Sequence, residues 1–457
     1  MSMMKRLIAA APALLLAACA TREPPPALAT LAPPQWYAPL PHNGSLGDLT
    51  LWWRTQGDPL LGELVDAAQA ASPTMAQAQA RIAQARASRV AASAALMPNL
   101  DLALSSSRGS QQSTLPMGTT TQAQLQSSWE IDLFGGRRAD REAAQARLAG
   151  AEAGWHDARV SVAAEVANQY YALRACETLA GIAKEDAASR ADTSRLTTLT
   201  ADAGLAAPAN AALARASAAD GASRATQQRA QCDIDLKTLV ALTAINEPVL
   251  RQKLASTTAT PAPSIAFDAL PAQTLAQRPD VFAAEREVAA ASADVGSARA
   301  ARYPRLTLTG SIGKGQFRGD ETINGETWSI GPLALTLPIF DGGARRANVV
   351  SAEARYELAV ANYKASARNA VREVEQALVS VDSAALRRSD ALTMVEGYRA
   401  AFRATEDRYN NGLASLLELE DARRTRLAAE IAMITLERER SAAWVALYRA
   451  TGGGWKN

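Results

Sequence analysis

Histidine is almost absent from this sequence, with only His42 and His156 in 457 residues. Cysteine is nearly as scarce: beyond Cys19 there are only Cys176 and Cys232, far apart in the chain. These residues offer neither the close spacing of metal ligands nor a nucleophile beside a base, so the usual residues of hydrolytic and metal-centred chemistry are missing. Aromatic residues make up 5% of the chain. Net charge is lacking too, with 48 Lys+Arg against 46 Asp+Glu, which leaves no basic footprint for a nucleic acid. Past residue 18 no uninterrupted apolar run reaches the roughly 20 residues that a membrane-spanning helix needs. Any passage through a bilayer must therefore use strands, because lipid leaves no open backbone satisfied.

What is present begins at the N-terminus. Lys5 and Arg6 precede an apolar stretch over residues 7–18, the layout of a secretory signal and too short to span a bilayer. It ends in Leu16-Ala17-Ala18-Cys19, small residues before a cysteine as at a lipoprotein processing site. Residues 1–18 are thus expected to be a signal peptide, and Cys19 the lipidated first residue of the mature chain. Ala20 in place of aspartate implies, for a bacterial lipoprotein, onward transport to the outer membrane. Residues 19–50, rich in proline between Arg22 and Pro34, form an extended tether. Losing the signal removes two positive charges and no negative ones, which leaves the mature chain formally neutral.

The remainder is duplicated. Pro98 and Leu100 recur as Pro304 and Leu306, and Phe134 as Phe340, at a spacing of 206. Arg137-Arg138 recur as Arg345-Arg346, and Gly204-Leu205-Ala206 as Gly412-Leu413-Ala414, at a spacing of 208. Two extra residues within Phe340-Asp341-Gly342-Gly343-Ala344 account for the step. A first repeat over 51–246 and a second over 272–450 flank a proline-containing segment, 247–271, and a short tail covers 451–457.

Within each repeat the hydrophobic period changes. Ala123, Leu125, Trp129, Ile131 and Leu133 alternate with Gln122, Gln124, Gln126, Ser128, Glu130 and Asp132, the period of a strand with one apolar and one wet face. Leu100, Leu102 and Leu104 open an earlier strand. Leu306, Leu308 and Ile312, then Leu333, Leu335, Leu337 and Ile339, supply the second pair. Each is long enough to cross a bilayer at a tilt. The rest is alanine-rich helix: Leu148, Ala151, Trp155, Ala158 and Val162 step by three and four, as in a coiled-coil seam. Two helices of about 60 residues, roughly 90 Å each, run to turns near Gly204 and Gly412, with returning arms of about 35 residues. Gly135-Gly136-Arg137-Arg138 lacks the full phosphate-loop signature and reads as a strand-to-helix turn.

Four strands cannot close a barrel of usable bore, and open edges are not tolerated in lipid. Three copies give twelve strands around a polar lumen, whereas two give eight, whose interior is filled by side chains. The expected fold is an α+β membrane protein: a homotrimeric 12-stranded β-barrel, four strands per chain, with long helices whose small alanine side chains suit a curved wall.

The lipoprotein box, Trp52-Trp53 with Asp58-Pro59-Leu60, Arg278-Pro279-Asp280, Pro304, Phe340-Asp341-Gly342-Gly343 and Arg408-Tyr409 with Gly412 resemble, in order and over essentially all of the mature chain, the outer membrane factor family. Within it the chain is similar to the NodT-type efflux lipoproteins of the TolC and OprM kind. The resemblance implies a trimeric channel for small molecules such as drugs, toxic compounds or metal ions, its 12-stranded β-barrel continuous with a long periplasmic α-helical barrel, with an equatorial domain built from the termini and the inter-repeat segment. It implies no enzyme activity and no cofactor beyond the lipid on Cys19. The implied partners are a periplasmic adaptor protein, an inner-membrane pump of the resistance-nodulation-division class and outer-membrane lipid. Two other readings stay open: a channel for type I protein secretion, because the pump selects the cargo, and a non-channel periplasmic coiled-coil lipoprotein, against which the alternating strands count.

The family closes its periplasmic end by coiling the second hairpin inward, with charged residues just past the turn. Leu419-Glu420-Asp421-Ala422-Arg423-Arg424 holds that place, so the resemblance gives Asp421 and Arg424 the gate, with Glu418 and Glu420 as neighbouring candidates. Threefold symmetry would turn one carboxylate into a ring of three, which concentrates cations. A solvated helix face is the other reading of Glu418 and Glu420. The first hairpin has only Ala206, Ala207, Pro208 and Ala209 after Gly204 and its neighbour Leu205. Cys176 and Cys232 lie 28 residues either side of Gly204, at equal height on antiparallel helices. This predicts a disulfide across the first hairpin, the alternative being two buried free thiols.

Overall fold

A computed structural model describes Tyr37, Trp53 and residues 58–109, 117–257, 271–276 and 278–455. Cys19 lies outside the described residues, as does the tether apart from Tyr37. Helices α1 (Pro59–Ala71) and α2 (Pro73–Ala94) lead into strands β1 (Asn99–Gly109) and β2 (Gly118–Ile131), and helices α3 (Gly136–Asp202) and α4 (Pro208–Thr243) follow. After α5 (Glu247–Ser256) and α6 (Pro271–Ala276), the order recurs as α7 (Pro279–Ala300), β3 (Arg305–Arg318), β4 (Thr322–Thr336), α8 (Ala344–Asn410) and α9 (Leu416–Ala450). Helices α2 and α7 have 22 residues each, and α3 and α8 have 67 each. From α2 to α7 the offset is 206 positions, and from α3 to α8 it is 208.

Both long helices begin one residue before the double arginines, and aspartates cap their first turns. The Asp132 carboxylate accepts the backbone amides of Arg137 (3.2 Å) and Arg138 (3.0 Å). Asp341 accepts those of Gly343 (2.9 Å) and Arg345 (3.1 Å). A carboxylate at a helix N-terminus satisfies orphan donors and complements the helix dipole. The amides of Arg345 and Gly343 hold Asp341 below the usual carboxylate range. Gly135 takes a φ of +77° at the strand-to-helix turn, a conformation that suits glycine.

The chain divides into two compact units. Among the described residues, the first comprises 79–109, 117–154 and 280–366. Its antiparallel sheet has the order β1-β2-β3-β4, so β1 and β4 are the edges. The register aligns Leu102 with Leu125, Leu125 with Ile312, and Ile312 with Trp328. This row belongs to an apolar face that also carries Leu104, Leu308, Leu333 and Leu335, and most of these side chains are exposed. The other face is Ser, Thr, Gln and Gly over most of its length; one row runs Asp101, Gln126, Ser311, Ser329 and the next Ala103, Gln124, Gly313, Thr327. A register shift at Leu308/Gly310 inserts the extra residue that keeps Leu333 and Leu335 on the face of Trp328 and Ile330; without it they would flip. The strands stop short of the sequence alternation. Leu133, Leu337 and Ile339 lie beyond them, because Asp132 turns into its capping role and Pro338 has no amide to donate to a ladder.

The second unit comprises, among the described residues, Tyr37, Trp53, 58–78, 155–257, 271–276, 278–279 and 367–455. Its core includes the fully buried Leu61, Leu64, Tyr170, Leu239, Leu378 and Leu447, each side chain worth roughly 1.5–3 kcal/mol of burial. The motif residue Asp58 caps α1 by accepting the amides of Leu60 and Leu61 (3.2 and 3.3 Å). Its other oxygen accepts the Tyr170 hydroxyl at 2.6 Å. Burial, helped by this bond, pushes Tyr170 up to about 12. Arg278 donates to the carbonyl of Ala450 (2.9 Å) and to Glu373 (2.8 Å), fastening the end of α9. Asp58 and Arg278, from two of the motifs that carry the family resemblance, thus serve the packing of this unit.

Candidate functional site at the hairpin tips

Both hairpin turns are built alike. Gly204 and Gly412 each have a φ of +75°. The amides of Leu205 and Leu413 return to the carbonyls of Thr200 and Arg408, at 2.8 Å each, the six-residue closure of a Schellman cap. A side chain at either glycine would strain this left-handed backbone. After the second turn, Ser415 caps α9. The Ser415 hydroxyl accepts the amide of Glu418 at 3.2 Å, and the Glu418 carboxylate accepts the amide of Ser415 at 2.6 Å. Glu418 is thereby committed to a capping box, and the Ser415 amide holds it below the usual glutamate range.

The other three candidates divide between two adjacent faces of α9. Asp421 and Arg424 form an exposed ion pair at 2.5 Å, one turn apart. Glu420 turns inward instead: it accepts from Arg190 (2.8 Å), from the Ser217 hydroxyl (3.0 Å) and from Arg423 (2.5 Å). Arg423 is completely buried. It also donates to Ser189 (3.0 Å) and Thr193 (3.2 Å), and its guanidinium lies over the Phe402 ring. Burial holds Arg423 below the usual arginine value against the pull of Glu420. Arg190 reaches Asp186 as well, at 2.8 Å. Here α3 and α4 approach closely, for a Cβ on Gly221 would come within 2.7 Å of the Arg190 side chain. The cluster ties the first hairpin, through Asp186, Arg190 and Ser217, to the second, through Glu420 and Arg423. Nearer the tip, the hydroxyls of Thr197 and Tyr409 meet at 2.9 Å, beside an apolar contact of Ala214, Phe402, Leu416 and Leu419.

Cys176 and Cys232 are bonded across the first hairpin, with Cα atoms 5.5 Å apart. Among the described residues no group of histidine, cysteine or carboxylate side chains could hold a metal ion, and no helix is long and apolar enough to cross a membrane. The arrangement is a set of fastenings between helices, with the Asp421–Arg424 pair exposed near the tip of the second hairpin.

The sequence matches, over residues 64–244 and 270–453, the model of a family described as outer membrane efflux protein. It is 31% identical to the pyoverdine export outer membrane protein OpmQ of Pseudomonas aeruginosa, over 99% of this chain and 98% of that protein. It is 28% identical to nodulation protein T of Rhizobium leguminosarum bv. viciae, over 98% of this chain and 94% of that one. Among solved structures the outer-membrane channel OprN superposes with a TM-score of 0.84 at 30% identity, covering 95% of this chain and 99% of that one.

Proposed function

The chain belongs to the outer membrane efflux protein family and is the outer-membrane channel of a tripartite efflux system, and on that footing we propose that it works as a homotrimer gated at the second hairpin. The observation that carries the threefold reading is the open sheet. Four strands present an apolar face, a face of Ser, Thr, Gln and Gly, and two unpaired edges, β1 and β4. Lipid tolerates no such edges, and a twelve-stranded closure encloses a polar lumen. That lumen suits small polar solutes conducted from a periplasmic adaptor and an inner-membrane pump of the resistance-nodulation-division class. Cys19 supplies the lipid anchor in this reading.

The gate consists of Asp421 and Arg424, which three copies arrange as rings at the tip of the second hairpin. Glu420 and Glu418 serve it indirectly, the first by fastening α9 to the first hairpin and the second by capping it. Planar-bilayer recording of the purified channel tests this. Wild type should show a small resting conductance, and Asp421→Ala with Arg424→Ala a larger one. An unchanged conductance in a correctly assembled double variant removes the gate from these residues.

A further inference from the structure

The sheet distributes its cations unevenly. Within β1 to β4 these are Arg108, Arg305, Lys314 and Arg318. Arg305 stands at the helix end, on the face of Ser, Thr, Gln and Gly. The other three lie on the apolar face, toward the end that carries the β1–β2 and β3–β4 turns. Polarity changes along that face row by row. Leu102, Leu125, Ile312 and Trp328 make the last apolar row, with Trp328 75% exposed. In the next row Lys314 pairs with Glu326 at 2.9 Å. The final row is Arg108, Thr119, Arg318 and Thr322. At the same level the opposite face has Ser107, Thr120, Phe317 and Ile323 and no charge.

In the final row Arg108 and Arg318 stand on either side of Thr119, two strand spacings or about 10 Å apart. Both arginines are exposed. Among the described residues neither has an ion-pair partner, although Asp320 and Glu321 occupy the turn just past Arg318. Two guanidinium groups and a hydroxyl can converge from there on one tetrahedral anion, because the planar fork of arginine matches the oxygens of a phosphate. We propose that Arg108, Thr119 and Arg318 bind the phosphorylated headgroup of a lipid in the outer leaflet. This rests on the reading of the sheet as the wall of an outer-membrane barrel, whose apolar face meets lipid. Trp328 and the Lys314–Glu326 pair then mark the rim of the hydrocarbon, where aromatic rings collect. Arg318 lies four residues beyond Lys314, roughly 14 Å along a tilted strand, and so reaches the headgroups. Because the charges avoid the polar face, they serve the lipid and not the solute in the lumen.

Native mass spectrometry of the full-length channel, titrated in detergent with lipid A as a diphosphorylated probe, tests the site. Wild type should bind lipid A about tenfold more tightly than its dephosphorylated form, as two basic residues at a membrane surface allow. Arg108→Gln with Arg318→Gln should abolish that preference, Arg108→Lys with Arg318→Lys should keep part of it, and Lys314→Gln with Glu326→Gln should leave it whole. An undiminished preference in the double glutamine variant at 108 and 318 overturns the site. Inorganic phosphate at the same concentration should leave the lipid bound; displacement would mean a free-anion site and overturn the lipid reading. In vesicles of chain-brominated phosphatidylcholine, the fluorescence that Trp328→Phe removes should be quenched. Without that quenching the barrel-wall reading itself fails. With it, lipid A binding that ignores the two arginines overturns the headgroup site alone.

Discussion

Replacing Glu420 by alanine should loosen the second hairpin far more than any change at the neighbouring exposed pair. In the folded chain Glu420 neutralises Arg190 and Arg423, and Asp186 lies within salt-bridge reach of both as a second carboxylate. Arg423 is fully buried, so its charge cannot turn to water once Glu420 is gone. Removing one partner of a buried ion pair costs about 3–5 kcal/mol. Replacing both, as in Glu420→Leu with Arg423→Met, removes the stranded charge and leaves the Asp186–Arg190 pair intact; such apolar exchanges are often neutral or stabilising by about 1–4 kcal/mol. Amide hydrogen exchange along the first turns of α9 gives the readout. At about 1.4 kcal/mol per factor of ten, the single variant should speed exchange by two to nearly four powers of ten, and the double variant should return most of that protection. Bilayer conductance should rise in the single variant. The reasoning fails if Glu420→Ala accelerates exchange no more than Asp421→Ala does, or if the double variant is as labile as the single one.

Other outcomes are expected elsewhere in the chain. Because the Asp421–Arg424 pair is exposed on both sides, its loss should change stability by less than about 1 kcal/mol, so denaturation of that double variant should match wild type while its conductance rises. Metabolic labelling with palmitate should mark Cys19, and a Cys19→Ser form with a replaced signal should still trimerise; an unlabelled native chain would refute lipidation. Alkylation of the unreduced, denatured protein should leave Cys176 and Cys232 unmodified, and Cys176→Ser should cost up to about 4 kcal/mol for a link of this span, measured by denaturant unfolding. Glu418 is held below its ordinary range by the Ser415 amide, so its stabilising effect is complete above the ordinary glutamate value and is lost as pH falls through its lowered one. Protection of the first turn of α9, as exchange relative to the intrinsic rate at each pH, should fall in acid, and Glu418→Gln should remove that dependence.

The sheet was legible because a period of two leaves one solution for which side chains share a face. Leu125, Leu102 and Ile312 share a face as that alternation requires, whereas their pairing was not legible, since a slip of two residues keeps every face. The strand ends were not legible either, since alternation carries on through Leu133 and Ile339 after hydrogen bonding has stopped. The buried cluster was also hidden. Glu420 and Arg423 lie 230 or more positions from Arg190 and Ser189, and each half looks like an ordinary charged pair on a helix surface. One signal was there: Ser189, Thr193, Ser217 and Gly221, small or hydroxylated, leave space where long charged side chains are to be buried. The role of Glu418 could have been read as well, because Ser415 and Glu418 have the spacing of a capping box. A charge-based reading of the segment passed over it.

The positions of the cluster and the exposed pair constrain how the proposed gate opens. Glu420 and Arg423 are three residues apart, as are Asp421 and Arg424, so each pair lies along one face of α9 and the two faces differ by about 100°. A twist of α9 that carries Asp421 away from the pore axis must therefore sweep Glu420 away from Arg190 and Ser217. It must also take Arg423 from the hydroxyls of Ser189 and Thr193. The first hairpin offers little accommodation, since Cys176 and Cys232 link its two helices. Opening the gate and breaking the buried cluster are thus one event on α9. With the gate proposed at these residues, an opening partner would have to supply the cost of separating those charges, and the channel alone would show only its small resting conductance.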